Sequence, residues 1–317
     1  MAVVLLGLGG LALLLGGAEL LVRSGSQLAA RIGLSPMVIG LTVVSIGTSL
    51  PELAIGIDAA WSGSAGLATG NIVGTNLVNV LFVLGLGALL RPVLFDRRTL
   101  RFDLPVMVAA TLLFHVLARD GELGPLDGTI LAATAAGYTV LIFRTGRQED
   151  VAAADPATGP GRSGGPLFQL LVLVAAIVLI VIGAQLLVDG AVQGARAFGV
   201  DEAVIGLTVV AIGTSAPELV TMLVSVARGE TGLAVGNLVG SSVYNIALVL
   251  GITVLVAPGA AIAVPQAVLD ADLVLLTVVT VGAALAMRSG ARLTRVEGGL
   301  FVLVYLVYLG WLVVTRT

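Results

Sequence analysis

VIGLTVVSIGTSLPEL at residues 38–53 returns almost letter for letter as VIGLTVVAIGTSAPEL at 204–219. ATGNIVGTNLVNVLFVLG at 68–85 returns as AVGNLVGSSVYNIALVLG at 234–251, at the same offset of 166 residues. Glu52 thus pairs with Glu218, Thr75 with Ser241, and Asn79 with Asn245. The copying reaches back towards the start of each half, where GGAELLV at 16–22 matches IGAQLLV at 182–188. A disposable signal peptide would not be duplicated inside a chain, and the first segment lacks a basic start, so it is read as a span.

Each copy sits in a long apolar run. The chain has 317 residues, 58% hydrophobic and 11% charged, with a mean hydropathy of +1.11. Soluble domains carry about 25% charged residues. Apolar runs long enough for a hydrocarbon core of about 30 Å recur along the length, at 2–22, 36–61, 66–90, 103–118, 125–143, 167–188, 202–227, 232–256, 267–287 and 297–315. They lack the two-residue alternation of barrel strands. The expected fold is an all-α polytopic membrane protein. Cysteine is absent, which excludes disulfides and thiolate metal sites. The single histidine, His115, cannot build a His-rich centre and is read as a buried or cavity-lining polar residue.

The chain has no lysine, so arginine alone sets the positive-inside signal. With the N-terminus outside, every arginine but Arg119, Arg196 and Arg316 falls inside. Both termini are therefore expected outside. Residues 144–166, RTGRQEDVAAADPATGPGRSGGP, are polar and rich in Gly, Pro and Ala. They are read as a cytoplasmic linker, too short to be a folded domain, between a first five-helix repeat (1–143) and a second (167–317). An odd number of spans per half inverts the second half. Inverted repeats place transport sites at the midplane, where the halves meet.

IGTSLPEL at 46–53 puts a carboxylate at the middle of a span. A charge there costs about 2.5–3.5 kcal/mol on insertion scales, so Glu52 is expected to face the interior or a cavity. Pro51 lacks an N–H and crowds the carbonyl of Gly47, so the helix should break and turn carbonyls around Ser45 to Thr48 towards a ligand. Ser45, Thr48 or Ser49, and Glu52 share one helical face. Asn71, Thr75 and Asn79 form a stripe on the next span, beside Gly70 and Gly74, which let helices approach. The second half repeats this with Ala211, Thr214, Ser215, Glu218, Asn237, Ser241 and Asn245. Small-residue motifs and proline kinks alone usually mean helix packing. A carboxylate after proline, copied across an inverted repeat, is not explained by packing. The donors are all hard oxygens, which suit Ca²⁺ and Na⁺. Two glutamates neutralise one divalent ion or two monovalent ones, the requirement of exchange.

These segments closely resemble the two α-repeats of the cation/Ca²⁺ exchanger superfamily, in its prokaryotic Na⁺/Ca²⁺ exchanger form, over nearly the whole chain. The resemblance implies a secondary active antiporter working by alternating access, with a central Ca²⁺ site flanked by Na⁺ sites. Glu52 and Glu218 would be the shared carboxylates. Thr48, Ser49, Thr214 and Ser215 would bind through hydroxyl or carbonyl oxygens. Thr75, Ser241, Asn79 and Asn245 would complete the sites, with Ser45 and Ala211 offering backbone carbonyls. Ser45 stands where the family usually has Ala, Thr75 where Ser is common, and Asn245 where many prokaryotic and K⁺-dependent members carry Asp. The last departure weighs against K⁺ coupling.

No covalent cofactor, nucleic acid or catalytic role is expected. The partners are Ca²⁺, Na⁺ and the lipid bilayer of a prokaryotic cytoplasmic membrane, and the chain could act as a monomer. An H⁺/Ca²⁺ antiporter is the nearest rival, although that branch carries GNxxE in the first motif of each half. An intramembrane enzyme with paired glutamates lacks a nucleophile or catalytic histidine. A passive cation channel would conduct without a counter-ion. Glu19, aligned with Gln185, could pair between helices or affect gating. Asp58 is placed in the outer vestibule, and Asp270 and Asp272 at the outer end of the ninth span.

Overall fold

Helix-breaking residues punctuate the apolar runs as much as loops do. The computed structural model describes residues 2–149, 165–197, 211–259 and 261–316. In chain order the first half has α1 (Ala2–Ile32), α2 (Pro36–Ile39), α3 (Ser45–Thr48), α4 (Leu50–Trp61), α5 (Ala65–Leu77), α6 (Leu84–Leu90), α7 (Leu104–Leu117) and α8 (Pro125–Glu149). The second has α9 (Pro166–Ala197), α10 (Ala211–Thr214), α11 (Ala216–Arg228), α12 (Thr231–Tyr244), α13 (Gly251–Val256), α14 (Leu273–Gly290) and α15 (Arg295–Arg316). Among the described residues nine helical stretches are long and apolar enough to span a membrane. The expected seventh span, 202–227, lies partly outside the described residues, and α10 and α11 are its described remainder. Residues 150–164 of the expected linker also lie outside them. Helix α8 continues to Glu149, beyond the expected start of the linker.

The two halves interlock. Helices α1 and α9 run antiparallel and pack through glycines. A Cβ at Gly10 would lie 2.7 Å from the Gly183 carbonyl oxygen, and one at Gly17 would lie 3.1 Å from that of Ala176. Both helices run well past the ends read from the apolar runs, and in α1 the Glu19–Arg23 i,i+4 pair bridges the expected end at residue 22. Two short antiparallel ribbons, not foreseen in the sequence, join the halves. β1 (Val93–Leu94) pairs with β4 (Arg292–Leu293), and β2 (Glu122–Leu123) pairs with β3 (Ile262–Ala263). The first ribbon lies at the end of the molecule where α8 stops and α9 begins, here called the linker side. The second lies at the far side.

Several turns are widened to i→i+5 spacing, at Gly40–Val44, Val78–Val83, Thr99–Asp103, Asn245–Leu250 and Val268–Asp272. Such turns favour functional sites. The turn at 78–83 and the one at 245–250 occupy matching places in the two halves, as do those at 99–103 and 268–272. At the last residue of each turn of the second pair, tyrosine hydroxyls tie neighbouring spans together. Tyr138 donates to Asp103 at 3.1 Å, and Tyr308 to Asp272 at 3.0 Å. Asp272 is thus buried against Tyr308, where the sequence suggested only a span end; the hydrogen bond offsets part of its desolvation. His115 is part-buried and bonds Thr277 Oγ1 at 3.1 Å across two spans.

Candidate functional site

Each proline acts as the sequence suggests, with the break one residue wide. α3 ends at Thr48 and α4 starts at Leu50; Ser49 between them has φ −85° and ψ 4°. Ser215 holds the matching place with φ −87° and ψ 7°. Pro51 and Pro217 fall in the first turns of α4 and α11, where no N–H is needed. The freeing of carbonyls is narrower than expected. The Ser45 carbonyl still accepts the Ser49 N–H at 3.1 Å. The carbonyl of Gly47 loses its i+4 donor because residue 51 is proline.

The breaks put Glu52 and Glu218 in first helical turns. There the positive ends of α4 and α11 favour negative charge. Both glutamates are 0% exposed. Around them the halves cross over. Thr48 of the first half bonds Asn237 Oδ1 at 3.2 Å and lies 3.4 Å from Ser241 Oγ, both of the second. Ser241 donates to Glu218 at 3.4 Å. Asn79 and Asn245, also 0% exposed, sit in the matching widened turns.

Burial without partners marks what this cluster can do. Both carboxylate oxygens of Glu52, one of Glu218, the hydroxyls of Ser49, Thr75 and Ser215, and the side-chain oxygens of Asn79 and Asn245 are buried without a hydrogen bond. An uncompensated buried polar group costs roughly 1–3 kcal/mol, and a charge far more. Cations held by hard oxygens would satisfy the whole set at once. Thr214 lines a cavity of about 690 Å³ that opens to the far side. Ala211 begins α10. Ser45 contributes differently from the rest: its single O–H lies within donating distance of the carbonyls of Gly40 at 2.6 Å and Asn237 at 2.9 Å.

A cavity reaches the site from the far side. Pro51, Ala54, Asp58, Gly70, Gly74 and Gln185 line the far-side cavity. Among the described residues a Cβ on Gly70 or Gly74 would meet nothing within 4 Å, while 203–210, which mirror 37–44, lie outside the described residues. The repeat-equivalent Gly236 and Gly240 pack against the backbone of Met37 to Leu41 and against Ser45. On the linker side the buried apolar face of α1 packs against Ala216, Val220 and Val224.

Two residues that repeat-matching passed over belong to this neighbourhood. Thr221 and Ser225 stand three and seven positions after Glu218, on its face of α11. Both are 0% exposed, and neither hydroxyl has a partner. The signal that could have found them is helical periodicity counted from the glutamate, since their counterparts Ile55 and Ala59 are apolar.

The chain is similar to known proteins along nearly its whole length. The family described as sodium/calcium exchanger protein matches residues 2–144 and 168–314. The inner membrane protein YrbG of Escherichia coli is 37% identical over 79% of this chain and 78% of its own. The sodium/calcium exchanger MaX1 of Methanosarcina acetivorans is 30% identical over 95% of each. A solved structure of the sodium-calcium exchanger NCX_Mj, soaked with Na⁺ and Sr²⁺, superposes with a TM-score of 0.84. It is 28% identical and covers 98% of this chain and 99% of that one.

Proposed function

The chain belongs to the sodium/calcium exchanger family, a family of antiporters and not of enzymes, and from that premise we propose that it exchanges Na⁺ for Ca²⁺ without K⁺, by alternating access. The observation that carries this reading is the set of partnerless buried oxygens drawn from both halves around two enclosed carboxylates. Glu52 and Glu218 supply the charge, shared between Ca²⁺ and Na⁺. Thr48, Ser49, Thr75, Asn79, Thr214, Ser215, Ser241 and Asn245 supply neutral oxygens, with the carbonyls of Ser45 and Ala211. Neutral hydroxyls and amides suit Na⁺ better than a proton relay. Asn79 and Asn245 add no third charge, so no K⁺ is needed for neutrality. Residues 1–143 and 167–317 are the two repeats, 144–166 is the linker between them, and the linker side is cytoplasmic, leaving both termini outside.

The test is ⁴⁵Ca²⁺ uptake into proteoliposomes in K⁺-free medium, with and without an outward Na⁺ gradient. Uptake is expected only with the gradient. Uptake driven by a pH gradient alone would assign the protein to H⁺ exchange. An absolute K⁺ requirement would remove the argument from Asn245.

A further inference from the structure

On the linker side the polar face of α11 continues from Glu218 through the buried hydroxyls of Thr221 and Ser225 to Arg228, the last residue of the helix. Arg228 grips Glu19 of α1 with two bonds, Nη2 to Oε1 at 2.6 Å and Nε to Oε2 at 2.9 Å. Arg23 holds the same carboxylate at 2.6 Å. This forked, charge-assisted geometry ties α1 to α11. The mirror positions cannot copy it: Glu19 corresponds to Gln185 and Arg228 to Ser62. At that mirror site Gln185 lines the open cavity, and Ser62 bonds its own helix at the Ala59 carbonyl. Ser45 follows the same rule. Its hydroxyl bonds the Asn237 carbonyl across the linker-side contact, whereas Ala211, its counterpart, has no hydroxyl.

We propose that Glu19 and Arg228 form a latch over a linker-side ion route lined by Thr221 and Ser225. Two partnerless hydroxyls buried in a row are poor packing and good lining: once α1 moves off α11, they meet water and ions. The latch holds that route shut while the far side is open, because repeat symmetry is broken at the residues that could make the equivalent contact elsewhere. The inference rests on the exchanger reading for its purpose, though not for its test.

The chain is naturally free of cysteine, so Ser225→Cys provides a single probe. In nanodiscs without Na⁺ or Ca²⁺, its reaction with a small cationic thiosulfonate reports opening of the route. Glu19→Gln is expected to raise that rate about two- to fivefold, the range for losing one partly exposed ion pair. Arg228→Gln should do the same, and the two together should add nothing further. An unchanged rate in both single variants overturns the latch. An equal rise at Ala135→Cys, deep in the core, also overturns it, because the loosening would then be general. The readout does not depend on which ions are exchanged. A failed Na⁺-driven flux with the labelling shift intact would sink the proposed function and leave the latch standing.

Discussion

At the scale of single residues, the glutamate pair bears the heaviest demand. An amide keeps the shape of a glutamate and loses its charge. Glu52→Gln and Glu218→Gln are each expected to abolish Na⁺-driven Ca²⁺ flux while leaving helical content and a monodisperse elution peak intact. Flux at the parent rate from either variant would end the shared-site reading. In the proposed mechanism protons would compete with Ca²⁺ for the same carboxylates. Acidifying the medium should therefore slow flux, and raising Ca²⁺ at constant pH should relieve the inhibition. If added Ca²⁺ gives no relief, the titrating group lies elsewhere. The core residues of this site were legible because the chain states them twice. Thr221 and Ser225 were not, since their counterparts in the first half are Ile55 and Ala59. The Asp103–Tyr138 and Asp272–Tyr308 bonds escaped for another reason: small insertions shift the second pair off the constant offset that exposes the motifs.

At the scale of elements, Gly240 marks a close approach between the halves. A methyl there would run into the Ser45 hydroxyl and lie 2.7 Å from the Leu41 carbonyl oxygen. Gly240→Ala is thus expected to cost about 1–3 kcal/mol through overpacking, seen as a lower apparent Tm of the purified protein. An unchanged Tm would mean that the helices are not packed as closely as described. Sequence periodicity could mark the glycine as an approach point. It could not say what is approached, because that depends on the partner helix and not on local composition. The breaks at Ser49 and Ser215 were readable from proline alone. The widened turn at Gly40–Val44 was not; just after it the Ser45 hydroxyl reaches the Gly40 carbonyl five residues back.

Across the whole molecule, orientation is the first quantity to measure. Ser163→Cys in intact cells is expected to react with a membrane-permeant maleimide and to resist an impermeant one. Labelling by the impermeant reagent would invert the assigned topology, although the relation between the halves would survive. The ribbons bear on something different, the order in which the protein can be made. Val93 and Leu94 emerge from the ribosome long before Leu293 and Arg292, their strand partners. Glu122 and Leu123 must likewise wait for Ala263 and Ile262. A nascent first half therefore stands in the bilayer with two unpaired strand edges and with the glycine face of α1 still awaiting α9. Both edges invite mispairing with other chains. Closure of the linker-side ribbon falls to the last hairpin synthesised, so a ribosome stalled just before residue 292 would leave a chain that has nearly all its helices, with Val93 and Leu94 still unpaired.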